Sequence, residues 1–357
     1  MAGACATDAG SPSTSATGGA ASGNENAGNA GTASAGASPG DGGAVQGGSG
    51  AADAGSGETQ YSSRIALGTQ FGCAIRTDAT IACWGMALAD GAETTPPTGQ
   101  FAALTANTDI TCGLLATGTV ACWGNLSGAQ AVPIPGALSA TSIAVGVSEQ
   151  CAVAAQSGAL VCWGGAGALT GTPPTGRFLQ VGVGRNFACA LTTDGALECW
   201  GDNSYGQITP PAGKFVQLVV GSYHSCALED DGTAHCWGLG NASMPTDGVP
   251  LVAGVESVEP WGQAIAPPGT QFKRLAVGAL HSCGILKKTG AVQCWGAGKT
   301  AGACATIDTC GQAVAHTGPF TDLALGYSNS CGILETGKIE CWGSNSGGRS
   351  TPPLSFQ

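Results

Sequence analysis

From residue 61 onward the chain alternates short apolar runs with glycine- and proline-rich breaks. Three runs show the pattern best: Phe215 to Gly221, Phe272 to Gly278 and Phe320 to Gly326 each open on an aromatic residue, alternate apolar with other side chains, and close on glycine. Period-two alternation over so short a span predicts a strand. Near the end of the run stand small residues, Ala66, Ala144, Gly182, Ala276 and Ala324, which suits an inner strand where neighbouring backbones crowd together. Two further strands follow, joined by tight loops such as Thr193-Asp194-Gly195 and Asp230-Asp231-Gly232, whose Asp and Gly supply the turn geometry. The predicted unit is a three-strand meander with a proline-rich return.

The unit repeats. Cys-Trp-Gly occurs seven times, and the tryptophans Trp84, Trp123, Trp163, Trp200, Trp237, Trp295 and Trp342 step by 39, 40, 37, 37, 58 and 47 residues. Periods near forty built from short strands indicate a stacked array or a propeller. Each triplet cysteine is preceded by another ten or eleven residues earlier, so 14 of the 17 cysteines belong to the repeat.

Their pairing follows from hairpin arithmetic. If a hairpin folds about Asp194, opposed residues have numbers summing to 388, which sets Cys189 against Cys199 and Leu191 against Leu197 on one face. Opposed Cβ atoms lie about 4.5–5.5 Å apart, close to disulfide distance. The expected bridges are Cys73 to Cys83, Cys112 to Cys122, Cys151 to Cys162, Cys189 to Cys199, Cys226 to Cys236, Cys283 to Cys294 and Cys331 to Cys341, with Cys304 to Cys310 in a loop. Each closes a short loop and stabilises by at most about 3 kcal/mol. Zinc would need converging ligands, usually with CxxC spacing, and the chain has no CxxC and only four histidines. Buried free thiols acting as apolar filler are the competing reading. Even pairing in all seven units favours oxidation and a setting outside the cytoplasm. Each tryptophan follows its cysteine, so strand alternation points it away from the disulfide face, towards the adjoining unit.

Composition divides the chain at about residue 60. Residues 1–60 are a Gly/Ala/Ser-rich tract with no aromatic residue, expected to be a disordered tether, and 61–357 carry the repeats. The tract contributes −5 to the net −11 and the remainder −6, with 12 basic residues scattered singly, which argues against nucleic acid as a partner. No apolar stretch approaches the roughly 20 residues of a membrane span. Ala2-Gly3-Ala4-Cys5 resembles the small-residue stretch at which bacterial lipoproteins are cleaved and lipidated, making Cys5 the expected anchor; the basic and apolar segments that normally precede it are absent. The alternative is an ordinary coil residue.

Two motifs then point to a family. Leu218-Val219-Val220-Gly221-Ser222-Tyr223-His224-Ser225-Cys226-Ala227-Leu228 resembles the Gly-x-x-His-Ser segment of the regulator of chromosome condensation repeats, and Leu275 to Ile285, with Gly278 and His281, does so again. Trp200-Gly201-Asp202-Asn203-Ser204-Tyr205-Gly206-Gln207 resembles the family's Trp-Gly-x-Asn-x-x-Gly-Gln turn. The resemblance covers 61–357 and implies an all-β, seven-bladed propeller of short repeats, of a secreted or lipoprotein bacterial type. The histidine is replaced by Phe71, Ile110, Gln150, Phe187 or Asn329 elsewhere, and cysteines stand where aliphatic residues are usual, so guanine-nucleotide exchange is not carried over. The terminal Thr351 to Phe356 resembles the approach to Phe215, and is expected beside Ser63 to Gly68, sealing the last blade to the first.

Insertions at about 239–270 and 297–318 account for the long steps; the first carries Trp261, Glu256 and Glu259, the second Cys304, Cys310 and His316. Loops on a rigid scaffold are where recognition resides, although neutral length variation explains them equally well. No catalytic constellation is found: there is no Gly-x-Ser-x-Gly elbow, HExxH or phosphate loop, and Asp230-Asp231-Gly232 reads as a turn rather than a calcium loop. The expected function is non-enzymatic, without cofactor or metal: a monomeric propeller binding a protein at the cell envelope. The alternative is a glycan-binding or polysaccharide-acting envelope protein. Trp261, Tyr223, His224, His281 and Tyr327 are the candidate binding residues. For sugar stacking, Tyr205, Tyr223, Tyr327 and Trp261 are expected to be exposed, whereas His224 and His281 are expected mainly to make structural turn hydrogen bonds.

Overall fold

The computed structural model describes residues 62–86, 94–125, 134–147, 149–165, 169, 171–243, 261–299 and 310–356. The chain divides into two units, Met1–Gly55 and Ser56–Gln357, the first lying outside the described residues. The second unit is all β, with seven three-stranded antiparallel sheets, each a consecutive meander. Blade 1 comprises Ile65–Leu67, Phe71–Ile75 and Ile81–Gly85; blade 2, Phe101–Asn107, Ile110–Leu115 and Val120–Gly124; blade 3, Ala140–Val145, Glu149–Ala154 and Leu160–Gly164. Blade 4 comprises Phe178–Val183, Phe187–Thr192 and Leu197–Gly201; blade 5, Gln217–Val220, His224–Leu228 and Ala234–Gly238. Blade 6 comprises Phe272–Val277, His281–Leu286 and Val292–Gly296; blade 7, Phe320–Leu325, Asn329–Leu334 and Ile339–Gly343. The return segments add single bridges at the blade edge, Thr119 with Ser139, Thr233 with Gln271 and Val292 with His316.

The hairpin register is the one the arithmetic predicts, with Cys189 opposite Cys199 and Leu191 opposite Leu197. All seven repeat pairs are disulfides, with Cα atoms 4.0–4.1 Å apart. Cys310 is also disulfide-bonded, whereas Cys304 lies outside the described residues.

Each disulfide faces the next blade, and each tryptophan faces the previous one. The first bridge and Trp123 share one apolar cluster, Cys151 and Trp200 another, and Cys189 and Trp237 a third. The same rule runs through Cys122 with Trp163, Cys226 with Trp295, Cys283 with Trp342 and Cys331 with Trp84, which returns to the start. The core is therefore seven separate sulfur-and-indole layers between blades. All seven tryptophans are buried, each placing a large apolar surface against its neighbour.

Polar side chains at one register of the first strand stitch the blades near the axis. Gln180 Oε1 accepts from Leu218 N at 2.7 Å, and Gln217 makes paired bonds to Leu275, accepting from its N–H at 2.9 Å and donating to its carbonyl at 3.0 Å. In blade 6 the position is Arg274, whose Nε lies 2.8 Å from Asp322 of blade 7. Asp322 in turn accepts from Arg64 N at 2.6 Å and Ser63 Oγ at 3.1 Å in blade 1. Burial pushes the Asp322 carboxyl up, against the pull of Arg274 and these donors. The C-terminal segment completes the closure. Phe356 is buried in the cluster shared by blades 1 and 7, its ring 6.4 Å from that of Trp84, and Arg349 Nη1 donates to Thr69 O at 2.8 Å. The tail thus reaches blade 1 chiefly through its third-strand tryptophan rather than by lying along the first strand alone.

Candidate functional site

The end of each third strand lies beside the turn that joins the first two, because Phe187 pairs with Gly201, His224 with Gly238 and Asn329 with Gly343. The inner turns and the loops after each tryptophan therefore share one face of the propeller. The glycine of Cys-Trp-Gly makes that approach. At Gly85, Gly124 and Gly201 φ is 102°, 111° and 111°, and a Cβ would stand 2.3–2.5 Å from the carbonyl oxygen of the inner turn.

A second close approach narrows the axis on the same face. A Cβ on Gly221 would lie 2.2 Å from Gly278 O, and one on Gly278 2.5 Å from Gly326 O, so only glycine permits the backbones to meet there. The central opening, about 740 Å³, is lined by the first strands of all seven blades, with Arg185, Tyr223, Tyr327 and Arg349 among the residues of its wall.

Tyr205 and Tyr223 are both buried, at 7% exposure, which corrects the expectation that they stand free to stack on sugars. Their rings meet edge-on at 6.4 Å because the loop after blade 4 folds onto the inner turn of blade 5. Exposed Arg185 donates to the Tyr223 hydroxyl at 2.7 Å and lies 5.8 Å from the ring centroid. Tyr327 is half-buried beside the same apolar cluster. Trp261 is 39% exposed.

Trp261 also belongs to a repeating element. In Tyr205-Gly206-Gln207 and Trp261-Gly262-Gln263 the first residue donates its backbone N–H to the glutamine Oε1, at 2.6 and 2.7 Å. Cys310-Gly311-Gln312 and Gly347-Gly348-Arg349 stand at the corresponding places, and all four middle glycines have φ between 73° and 78°. The tryptophan-to-turn interval is 7 residues from Trp200 to Gln207, 26 from Trp237 to Gln263 and 17 from Trp295 to Gln312. The excess of 19 (26 − 7) and 10 (17 − 7) reduces the long steps of 58 and 47 to 39 and 37, inside the range of the other blades. Both insertions thus interrupt the same stretch of the repeat, between the tryptophan and its glycine turn, and Trp261 closes the first rather than lying within it. Glu256 and Glu259 lie outside the described residues. His316 stacks on Trp342 with centroids 4.1 Å apart.

His224 and His281 are fully buried and bond between blades, not within turns. His224 Nε2 lies 2.7 Å from Ser282 Oγ, and His281 Nε2 lies 2.7 Å from Ser330 Oγ. Ser282 and Ser330 donate onward to Gln263 O and Gln312 O, so each serine accepts from its histidine, which carries its proton on Nε2. Burial lowers both imidazoles to about 3, fixing the neutral form, and Nδ1 of each makes no hydrogen bond. Blade 3 corrects the alignment. Glu149, not Gln150, pairs with Gly164 and so holds the histidine register, while Gln150 sits in the serine register opposite Trp163. Among the described residues no group of three or more His, Cys, Asp or Glu side chains is arranged to hold a metal, and no helix is long and apolar enough to cross a membrane.

The regulator of chromosome condensation (RCC1) repeat matches residues 178–207, 215–243 and 320–349. The chain carries RCC1 repeats folded as an RCC1-like propeller. It is similar to the entire ectodomain of the Physcomitrella patens receptor kinase CR4, at 25% identity and TM-score 0.61 over 79% of this chain and 72% of that one. It also resembles the CRINKLY WD40 ectodomain of the Arabidopsis thaliana receptor kinase ACR4, at 26% identity and TM-score 0.60 over 82% and 99%. Prp20p of Saccharomyces cerevisiae shares the fold, at 18% identity and TM-score 0.53 over 73% and 80%. No curated protein matches the sequence.

Proposed function

We propose that this chain is a non-enzymatic, extracytoplasmic binding propeller that recognises another protein through the face bearing the inner turns and both insertions. The observation that carries the reading is the coincidence of seven cross-strand disulfides, one per blade, with elaboration of one face. Disulfides at every blade suit an oxidising compartment, and both receptor-kinase relatives are ectodomains. A solved structure of yeast RCC1 (Prp20) has Kap60 bound to it. In this reading residues 1–60 are a tether, Cys5 is its lipid anchor and the propeller acts as a monomer at the cell envelope. Arg185, Tyr327 and Trp261 are the contact residues that the face offers, with Tyr223, His224 and His281 holding it in shape.

Intact mass of protein from its native cell, alkylated before reduction, tests the setting: sixteen oxidised cysteines and a diacylglyceryl-sized addition at Cys5 support it, and free thiols overturn it. Cross-linking to envelope proteins tests the face. Capture lost in Arg185→Glu/Tyr327→Ala but kept in Lys214→Glu/Lys287→Glu on the opposite face supports it; the reverse overturns it. Exposed Trp261 favours glycan binding as the second reading. A glycan-induced fluorescence change that vanishes in Trp261→Ala would establish that one instead.

A further inference from the structure

One position of the inner turn, directly after its glycine or, in blade 2, after Asn107, rings the axis. It holds Thr69, Thr108, Arg185, Ser222 and Tyr327 in blades 1, 2, 4, 5 and 7 and apolar residues in blades 3 and 6, and all seven line the central opening. Neighbouring turns are tied through it, Thr69 N donating to Thr108 O at 2.9 Å and Arg185 N to Ser222 O at 3.0 Å. The mouth of the opening is therefore rimmed by hydroxyls and a guanidinium.

Its charge runs against that of the molecule. The chain carries −11, yet no aspartate or glutamate is among the residues that line the opening, whose charged members are Arg185, Arg274 and Arg349. Arg274 is answered by Asp322, whereas the other two have no carboxylate partner among the described residues. Exposed Arg185 spends only Nη1, on the Tyr223 hydroxyl, so its Nε and Nη2 are open. Arg349 is 9% exposed; its Nε and Nη1 hold Ser346 O and Thr69 O, both at 2.8 Å, and its Nη2 makes no hydrogen bond. Burial pushes this guanidinium down, a penalty that an anion beside it would relieve.

We propose that the mouth of the central opening is a carboxylate-binding site that takes an acidic peptide segment of the partner, held by the open N–H groups of Arg185 and Arg349 and by the hydroxyls of the ring. Both arginines lie at the end of the opening that faces the inner turns, Arg185 within one and Arg349 bonded to another at Thr69. Guanidinium N–H groups match carboxylate oxygens, and a recess whose wall carries one sign of charge concentrates ligands of the other. The volume of about 740 Å³ falls within the roughly 300–1,000 Å³ of small-ligand sites, so the opening admits a short segment and not a folded domain. Salt should weaken the contact, because Arg185 is exposed.

The inference rests on the protein-binding reading for the nature of the ligand, and its test separates the two. The probe is the peptide acetyl-Gly-Glu-Glu-Gly-amide, titrated calorimetrically into the full chain at low salt. Expected is saturable binding that is lost for the Gly-Gln-Gln-Gly amide and falls at least about tenfold in Arg185→Gln. Ser222→Glu, which sets a carboxylate of the chain's own beside Arg185, should cost as much, and both variants should keep the parent's Tm, unlike Arg349→Gln, which also cuts the bond to Thr69. Acetyl-Gly-Gln-Gln-Gly with a free C-terminus separates the two sources of the carboxylate: if it binds, a chain end suffices, and if only the Glu peptide binds, side chains are required. No binding by either peptide at millimolar concentration, or equal binding by parent and Arg185→Gln, overturns the site. Binding of glucuronate where both peptides fail overturns the peptide as ligand and favours the glycan reading. A protein partner captured equally by the parent and Ser222→Glu overturns the site and leaves the wider reading standing.

Discussion

Blades 5 to 7 and blades 1 to 4 share one backbone plan and one disulfide pattern, yet they satisfy their buried polar groups differently. From blade 5 to blade 7 each histidine meets a serine, that serine meets a turn carbonyl, and the same carbonyl takes the next indole N–H. In the other half the partners are mismatched. The histidine register holds Phe71, Ile110 and Phe187 in blades 1, 2 and 4, the serine register of the following blade holds Thr111, Gln150 and Ser225, and the polar atoms of those three are buried without hydrogen bonds, as are the indole nitrogens of Trp123 and Trp200. Disulfide and tryptophan packing therefore suffices to build a blade, and the histidine-serine network is an added layer present only where both residues occur in consecutive repeats.

Acid should break the comparison most strongly. A histidine whose folded pKa is about 3, against a free value of 6.5, takes up its proton more readily when unfolded. Its contribution is intact above pH 6.5 and is lost as pH falls towards 3. At pH 5 the two histidines together should remove about 4 kcal/mol. Denaturant melts across pH 7 to 5 should show that loss, and a His224→Phe/His281→Phe variant should flatten the profile. Next in size, replacing both cysteines of one bridge by serine should cost up to about 3 kcal/mol. The loss should be similar for Cys112/Cys122 and Cys226/Cys236, since the bridge is common to both halves; a difference above about 1 kcal/mol in chemical unfolding would show that the network reinforces it.

Truncation after Thr351 removes buried Phe356 and should lower stability by about 1.5–3 kcal/mol, read as a drop in Tm. Unchanged melting would mean that the bonds of Asp322 to Ser63 and Arg64 and of Arg349 to Thr69 close the ring without Phe356. Smaller still, Ser330→Ala should cost about 1–3 kcal/mol by stranding His281, whereas Ser225→Ala, which deletes a hydroxyl without a partner, should be neutral or stabilising. Equal effects in denaturant titrations would erase the distinction between interfaces that carry the network and those that lack it.

Much of this was legible in the sequence because it is local. Cys189 and Cys199 are ten residues apart on one hairpin, so a sum of residue numbers pairs them, and alternation alone places Trp200 on the opposite face. What escaped depends on the neighbouring blade. His224 bonds to a serine 58 residues away and His281 to one 49 away, an interval that the insertions make irregular. Tyr205 and Tyr223 look exposed as polar-ended turn residues, but each turn is roofed by the other. Trp261 was assigned to an insertion because the repeats were aligned on Cys-Trp-Gly; alignment on Tyr-Gly-Gln, Trp-Gly-Gln and Cys-Gly-Gln would have restored it to the repeat.

Where the ring joins has a mechanical consequence. The seven repeat disulfides each lock a single hairpin and none crosses from one blade to another, so the propeller behaves as a bracelet of rigid links held shut by side chains. A pull on the chain from its N-terminal side arrives first at Ser63 and Arg64, whose grip on Asp322 is part of the clasp. Under load the links stay whole and the clasp yields first, so tension applied at Ser63 would open the circle between blades 7 and 1 before any hairpin unravels.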